Sequence, residues 1–150
     1  MSDSALKNQI QSDMKAAMRA GEKERLSAIR LIMAAVKQQE IDGRTQLDDS
    51  GVIAVLDKMS KQRKDSISQF KKAERQDLVD KEQAELDIIQ QYLPQQLSES
   101  EIDSLIDQAV QSTGATSIKD MGKIMGVLKP QLQGRADMGQ VSARIKSRLN

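Results

Sequence analysis

Apolar side chains recur every third or fourth residue along nearly the whole chain, and only two prolines interrupt them. That period is the spacing of one face of an α-helix, so it restricts the chain to amphipathic helices packed on one another. Leu6, Ile10, Met14, Ala17 and Met18 predict a first helix over about Ser4 to Ala20, ended by Gly21. Leu26, Ile29, Ile32, Met33 and Val36 predict a second over about Glu22 to Glu40. The stretch Ile41 to Gly51 is polar, with Asp42-Gly43 as a turn signal and Asp48 as an N-cap for the next helix. Val52, Val55, Leu56, Met59, Ile67 and Phe70 predict this third helix over about Asp49 to Ala73. Leu78, Val79, Leu86, Ile89 and Leu93 predict a fourth over about Gln76 to Tyr92. Arg30 and Arg63 fall on or beside the apolar faces, so each needs a carboxylate partner.

Pro94 disfavours helix at Leu93 and has no N–H of its own, which puts a boundary there. Ser98-Glu99-Ser100-Glu101 has the spacing of a capping box and starts a fifth helix, packed through Ile102, Leu105, Ile106, Ala109 and Val110 and ended by Gly114. Thr116 or Ser117 then caps a short helix carrying Gly122 and Gly126, which Pro130 ends, and a last helix over about Met138 to Leu149 packs through Val141, Ile145 and Leu149. The expected fold is all-α, with an N-terminal four-helix bundle over residues 1–93, a linker over 94–97, and a small three-helix tail domain over 98–150. A domain as small as the tail is marginal alone.

Cysteine and histidine are both absent. Disulfides, thiolate metal sites, imidazole ligands and the commonest general base are therefore excluded, and no cofactor, metal site or catalytic residue is expected. The N-terminus has no apolar run of signal length and no segment approaches a membrane span, so a cytoplasmic protein without a membrane partner is expected.

Net charge is only +1, but its distribution is uneven. From Glu74 to Asp107 ten acids face only Arg75 and Lys81. From Ala115 onward Lys119, Lys123, Lys129, Arg135, Arg144, Lys146 and Arg148 oppose only Asp120 and Asp137. A concentration of cations in one small domain is the footprint of an anion-binding module, and these seven are its candidate phosphate-binding residues. Lys58, Lys61, Arg63 and Lys64 form a second, shorter basic patch on the third helix. The stretch Gly122 to Asp137 crowds three of the eight glycines together. Gly122 and Gly126 lie one turn apart and offer a face for close approach by another backbone, while Gly134-Arg135-Ala136-Asp137 forms a tight turn presenting an arginine.

This unit resembles the C-terminal tail module of the B subunit of the aspartyl/glutamyl-tRNA amidotransferase, and the free-standing proteins of the YqeY-like family. In that pattern a Gly-x-x-x-Gly helix leads through a basic loop to Gly-Arg/Lys-Ala-Asp/Asn and a final helix; Gly122, Gly126, Gly134, Arg135, Ala136, Asp137 and Val141 match it. The stretches RLSAIRLIMAAVK, from Arg25 to Lys37, and KQRKDS, from Lys61, resemble further motifs of the family. The resemblance implies contact with tRNA or another folded RNA, and a possible protein partner such as an amidotransferase or a synthetase. It also attaches, by homology only, carbon-nitrogen ligase activity with glutamine as amide donor, although nothing here resembles the catalytic cradle of the B subunit. Phe70 and Tyr92 are the only aromatic residues, so RNA recognition is expected to rest on backbone and shape rather than base stacking. The alternatives are a protein-interaction adaptor docking through the small-residue helix and the acidic fourth and fifth helices, or an amidotransferase-related enzyme.

Overall fold

The structure is a computed structural model and describes residues 4–149. The described residues are helical with no strand: α1 (Ala5–Ala20), α2 (Lys23–Gly43), α3 (Asp49–Lys72), α4 (Gln76–Tyr92), α5 (Glu99–Thr113), a single 3₁₀ turn (Ile118–Asp120), α6 (Met121–Leu132) and α7 (Met138–Leu149). The chain divides into two compact units, one ending at Leu93 and one beginning at Pro94.

Local chemistry sets several of the helix ends. Ser4 caps α1 by accepting from the Lys7 amide at 3.0 Å, and Asp48 caps α3 by accepting from Gly51 at 2.9 Å. The Ser98 hydroxyl accepts from the Glu101 amide at 3.2 Å while Glu101 reaches back to the Ser98 amide at 3.3 Å, closing the capping box of α5. Gly21 and Gly114 end α1 and α5 in the left-handed conformation, at φ 71° and 67°.

Three ends depart from the sequence expectation; one is the start of α6, where Ser117 opens the 3₁₀ turn and Asp120, rather than Thr116 or Ser117, is the residue before the helix. The α2 helix continues through Asp42-Gly43 and turns only at Arg44, a non-glycine residue at φ 51°. A long polar face costs a helix little when its apolar face is anchored, so packing outweighs the turn signal. The α6 helix runs past Pro130 to Leu132. Pro130 sits in the last turn and is exposed; its missing N–H leaves the Gly126 carbonyl without the usual donor, yet the buried Leu128 and Leu132 on either side hold the helical path.

In the first unit, Ile10, Ile29, Ile32, Val36, Val52 and Leu56 are fully buried and Ile89 nearly so, with α1 to α4 all contributing. A smaller cluster of Ile67, Val79 and Leu86 joins α3 to α4. Phe70, expected inside, is half-buried against that cluster, and Met18, expected on the α1 core face, is 52% exposed. Arg63 has the carboxylate partners its position demands: its Nε lies 2.9 Å from Glu85 and 3.3 Å from Glu82 across the α3–α4 contact. Arg30 does not. It is exposed, because its position on α2 points away from the Ile29–Ile32–Val36 face.

Polar ties close the unit. Lys7 grips both oxygens of Glu40 at 2.9 Å, and the Leu47 amide donates to the same carboxylate at 2.9 Å. The Leu47 amide and the Lys7 ammonium hold the Glu40 carboxyl below its ordinary range. Ser4 and the Leu6 amide donate to Asp49, lowering its pKa too. The Tyr92 hydroxyl donates to Asp13 at 2.5 Å, joining the last helix of the unit to the first; burial and then the Asp13 carboxylate push the phenol pKa up.

The second unit is built on Ile106, Ile124, Leu128, Leu132, Val141 and Ile145, with Ala109, Ala115 and Ala136 buried beside them. The stretch expected as a linker is tied down. The Leu97 amide donates to the Arg135 carbonyl at 2.9 Å, Gln96 donates to the Gly134 carbonyl at 2.7 Å, and Leu97 packs on the core. Residues 95–97 are thus bound to the Gly134 turn as an integral strap of this unit.

Candidate nucleic-acid interface

Ile124, Leu128 and Leu132 follow one another at intervals of four, which turns that face of α6 into the core. The opposite face is made by Gly122, Gly126 and Pro130, all exposed. A methyl group added at Gly122 or Gly126 would meet nothing within 4 Å. The glycine pair therefore does not serve close packing inside the unit, contrary to the simplest structural reading of that spacing. Its backbone is bare toward the outside.

Lysines border this bare face. Lys123 follows Gly122 and Lys129 precedes Pro130, while Lys119 lies in the 3₁₀ turn just before the helix; all three are exposed. Lys123 reaches only 4.0 Å from Asp120 with its side chain 71% exposed, and Lys119 and Lys129 have no ion pair among the described residues. Asp120 is held below its ordinary pKa chiefly by the amides of Thr116 and Ser117, at 3.0 and 3.4 Å, so it serves to fix the start of the helix. Val127 and Ile118, 37% and 44% exposed, add apolar surface beside the lysines.

The arginines behave differently. Arg144 pairs with Asp103 at 2.8 Å and Glu99 at 3.1 Å, and Arg148 pairs with Asp107, so the outward edge of α7 is stitched to the acids of α5. Arg135 is half-buried and donates from Nε to the Gln95 carbonyl at 3.3 Å, which makes it a holder of the strap. Lys146 is exposed and has no ion pair among the described residues.

The turn itself is structural in each of its residues. Gly134 is buried at φ 76°, a conformation that disfavours any side chain, and Ala136 is buried in the core. Asp137 is exposed and accepts from the Gly139 amide at 2.8 Å at the start of α7. On α3, Lys58 and Lys64 are exposed, Lys61 lies 3.7 Å from Asp57, and Arg63 is held between Glu82 and Glu85. The basic run therefore divides: its arginine is a structural tie, and its lysines stay at the surface.

Net charge along the sequence does not show that Arg144 and Arg148 are already paired with Glu99, Asp103 and Asp107. The signal was present in the spacing, since Glu99, Asp103 and Asp107 on α5 repeat every four residues and Arg144 and Arg148 on α7 repeat at the same interval, so two such rows can zip when their helices pack. No described helix is long and apolar enough to cross a membrane.

Comparison with known proteins adds the lineage. Residues 7–149 match the pattern described as Yqey-like protein. The chain is 35% identical over 140 residues to altered inheritance of mitochondria protein 41, mitochondrial, of Pyrenophora tritici-repentis, covering 91% of this chain and 77% of that protein. Identity is 34% over 143 residues to the protein of the same name from Lachancea thermotolerans, covering 91% and 76%. In Saccharomyces cerevisiae strain YJM789 it is 41% over 103 residues, covering 67% of this chain and 54% of the relative. These relatives are named as mitochondrial, which overturns the expectation of a cytoplasmic protein. A compartment is set by an address that receptors read, and helix patterning or a missing secretory run carries no information about it. The Gly122–Val141 pattern and the helices that carry it thus sit in a match spanning nearly the whole sequence, and the chain belongs to the YqeY-like family.

Proposed function

We propose that the protein binds tRNA or a similarly folded RNA through the outward face of α6, with α5–α7 acting as a three-helix tail module and α1–α4 as the four-helix bundle that accompanies it. The observation that carries this reading is the bare backbone at Gly122 and Gly126 flanked by the exposed Lys119, Lys123 and Lys129, of which only Lys123 has an acid within reach among the described residues, Asp120 at 4.0 Å. Phosphates are attracted by unpaired ammonium groups, and a helix face without side chains lets a sugar-phosphate backbone come close. Mitochondria translate, so tRNA is available to a protein of that compartment.

The test is fluorescence anisotropy of labelled total tRNA titrated with the intact chain at several salt concentrations. Lys119→Gln, Lys123→Gln and Lys129→Gln together are expected to weaken binding and flatten its salt dependence by about 0.9 in log K per log salt for each phosphate no longer neutralised. Binding unaffected by the triple change would sink the proposal. A second reading, docking of a protein partner on the same face, draws on Val127 and Ile118, whose exposed apolar surface a phosphate backbone does not need. It predicts that Val127→Ser abolishes capture of a partner while tRNA binding is absent at low salt.

A further inference from the structure

We infer that α2 carries a phosphate-backbone contact of its own, a column of cations on the first unit that binds folded RNA. The column is Lys23, Arg30, Lys37 and Arg44, each seven residues after the last, with Arg44 at the helix's C-terminal cap. Seven residues are about 20° from two full turns, so Lys23, Arg30 and Lys37 share one face at intervals of about 10.5 Å. All four are exposed and none has an ion pair among the described residues.

The absence of neutralising acids is specific to the middle of the column. The neighbours of Arg30 one turn away are Leu26, Ser27, Met33 and Ala34, none of them charged. Lys37 opens on a groove between α1 and α2 lined by Lys7, Gln11, Met33, Ala34 and Glu40. Its one acid, Glu40, is already saturated by Lys7 and the Leu47 amide. At the other end Lys23 shares a groove with Asp77 and Asp80 of α4, so the attractive stretch runs from Arg30 to Arg44. An arginine that the sequence places against an apolar face, and that the fold turns out to water without a carboxylate, is a charge left for something outside the chain.

Charge complementarity selects a polyanion, and Ser27 and Ala34, exposed one turn to either side of Arg30, are small enough to let a backbone approach there. Leu31 and Ile41, 43% and 60% exposed, are the large apolar groups on this helix surface; two such groups in a polar row are fewer than an interfacial helix inserts, so the polyanion of the α6 reading is the occupant. This contact rests on the RNA reading of α6, and it makes a separate prediction. Removing it leaves the α6 lysines intact but reduces the number of phosphates neutralised.

The experiment is tRNA anisotropy with the full chain carrying Arg30→Gln, Lys37→Gln and Arg44→Asn, the last keeping a residue tolerant of the left-handed cap. A control removes the same charge elsewhere through Lys15→Gln, Lys71→Gln and Lys72→Gln, with circular dichroism confirming that both fold. The expected result is roughly tenfold weaker binding for the α2 variant and a salt slope lower by about 2 to 3, with a far smaller change for the control. Equal weakening by both variants reduces the effect to net charge and overturns the inference. So does an α2 variant that binds like the wild type while the α6 triple variant is impaired, which leaves the α6 reading standing. No binding by the wild type at low salt overturns both. Wild-type binding to phosphatidylserine vesicles that the α2 variant alone loses, with tRNA binding unchanged, assigns the column to membranes and likewise overturns it.

Discussion

Two surfaces of the second unit carry the same kind of charge and use it in opposite ways. Along the α5–α7 seam, Arg144 and Arg148 are spent on Glu99, Asp103 and Asp107. On the outward face of α6, Lys119, Lys123 and Lys129 border two glycines and keep their ammonium groups in water. The lesson is that the density of basic residues does not locate a binding surface; the acids within reach decide which cations remain free. A guanidinium suits the seam because its planar fork meets two carboxylates at once, whereas a lysine on a flexible stem suits a mobile polyanion.

The comparison can be broken most severely at the core that holds both surfaces. Leu128→Ala, at a fully buried position of α6, is expected to cost about 2–5 kcal/mol and to melt the second unit first, as a separate early transition in urea followed by circular dichroism. Next comes the contrast between the surfaces: Arg144→Gln with Arg148→Gln leaves tRNA affinity nearly unchanged, while the α6 lysine changes lower it by an order of magnitude or more. Equal losses from both would show that seam and face do not differ. Gly126→Ala sharpens the point with a smaller effect. No atom lies within 4 Å of the added methyl, so the substitution is expected to raise stability by about 0.5–1 kcal/mol in a thermal melt while weakening RNA binding. A rise in both would remove the close-approach role.

The smallest effect is in pH. The folded-state pKa of Asp120 is depressed by the Thr116 and Ser117 amides, so its contribution is present above the ordinary carboxylate range and fades as pH falls through the folded value. Glu40 follows the same sign in the first unit. Acid is therefore expected to loosen the start of α6 and the α1–α2–loop tie together, and Asp120→Asn should remove the first of these from a pH titration of amide exchange.

Periodicity made the helices legible: Leu6 to Ile89 and Ile102 to Ile145 gave the apolar faces, and Asp48 and the Ser98–Glu101 pair gave two starts that the structure reproduces. What escaped the sequence was what lies opposite each residue across space. The Gly122–Gly126 spacing is identical for a packed face and a bare one, and only the buried Ile124–Leu128–Leu132 row decides between them. Arg30 and Arg63 look alike along the chain, yet one meets two glutamates of α4 and the other none. Pro94–Leu97 reads as a joint because proline and glutamines are common there; its hydrogen bonds come from a turn some 40 residues later. The compartment was not legible from folded-state patterning at all.

The hydrogen bond from Tyr92 to Asp13 joins residues 79 apart in sequence and has a consequence for the order of events during synthesis. Ile89 and Tyr92 complete a core that α1 to α3 leave open on one side. A ribosome adding about 5–20 residues per second needs roughly 4–16 s to pass from the first partner to the second, and for that interval Ile29, Ile32 and Val52 lack their final cover. The nascent first unit is thus the stage at which a holding chaperone matters most, whereas α5 to α7 emerge afterwards and can close on their own short span.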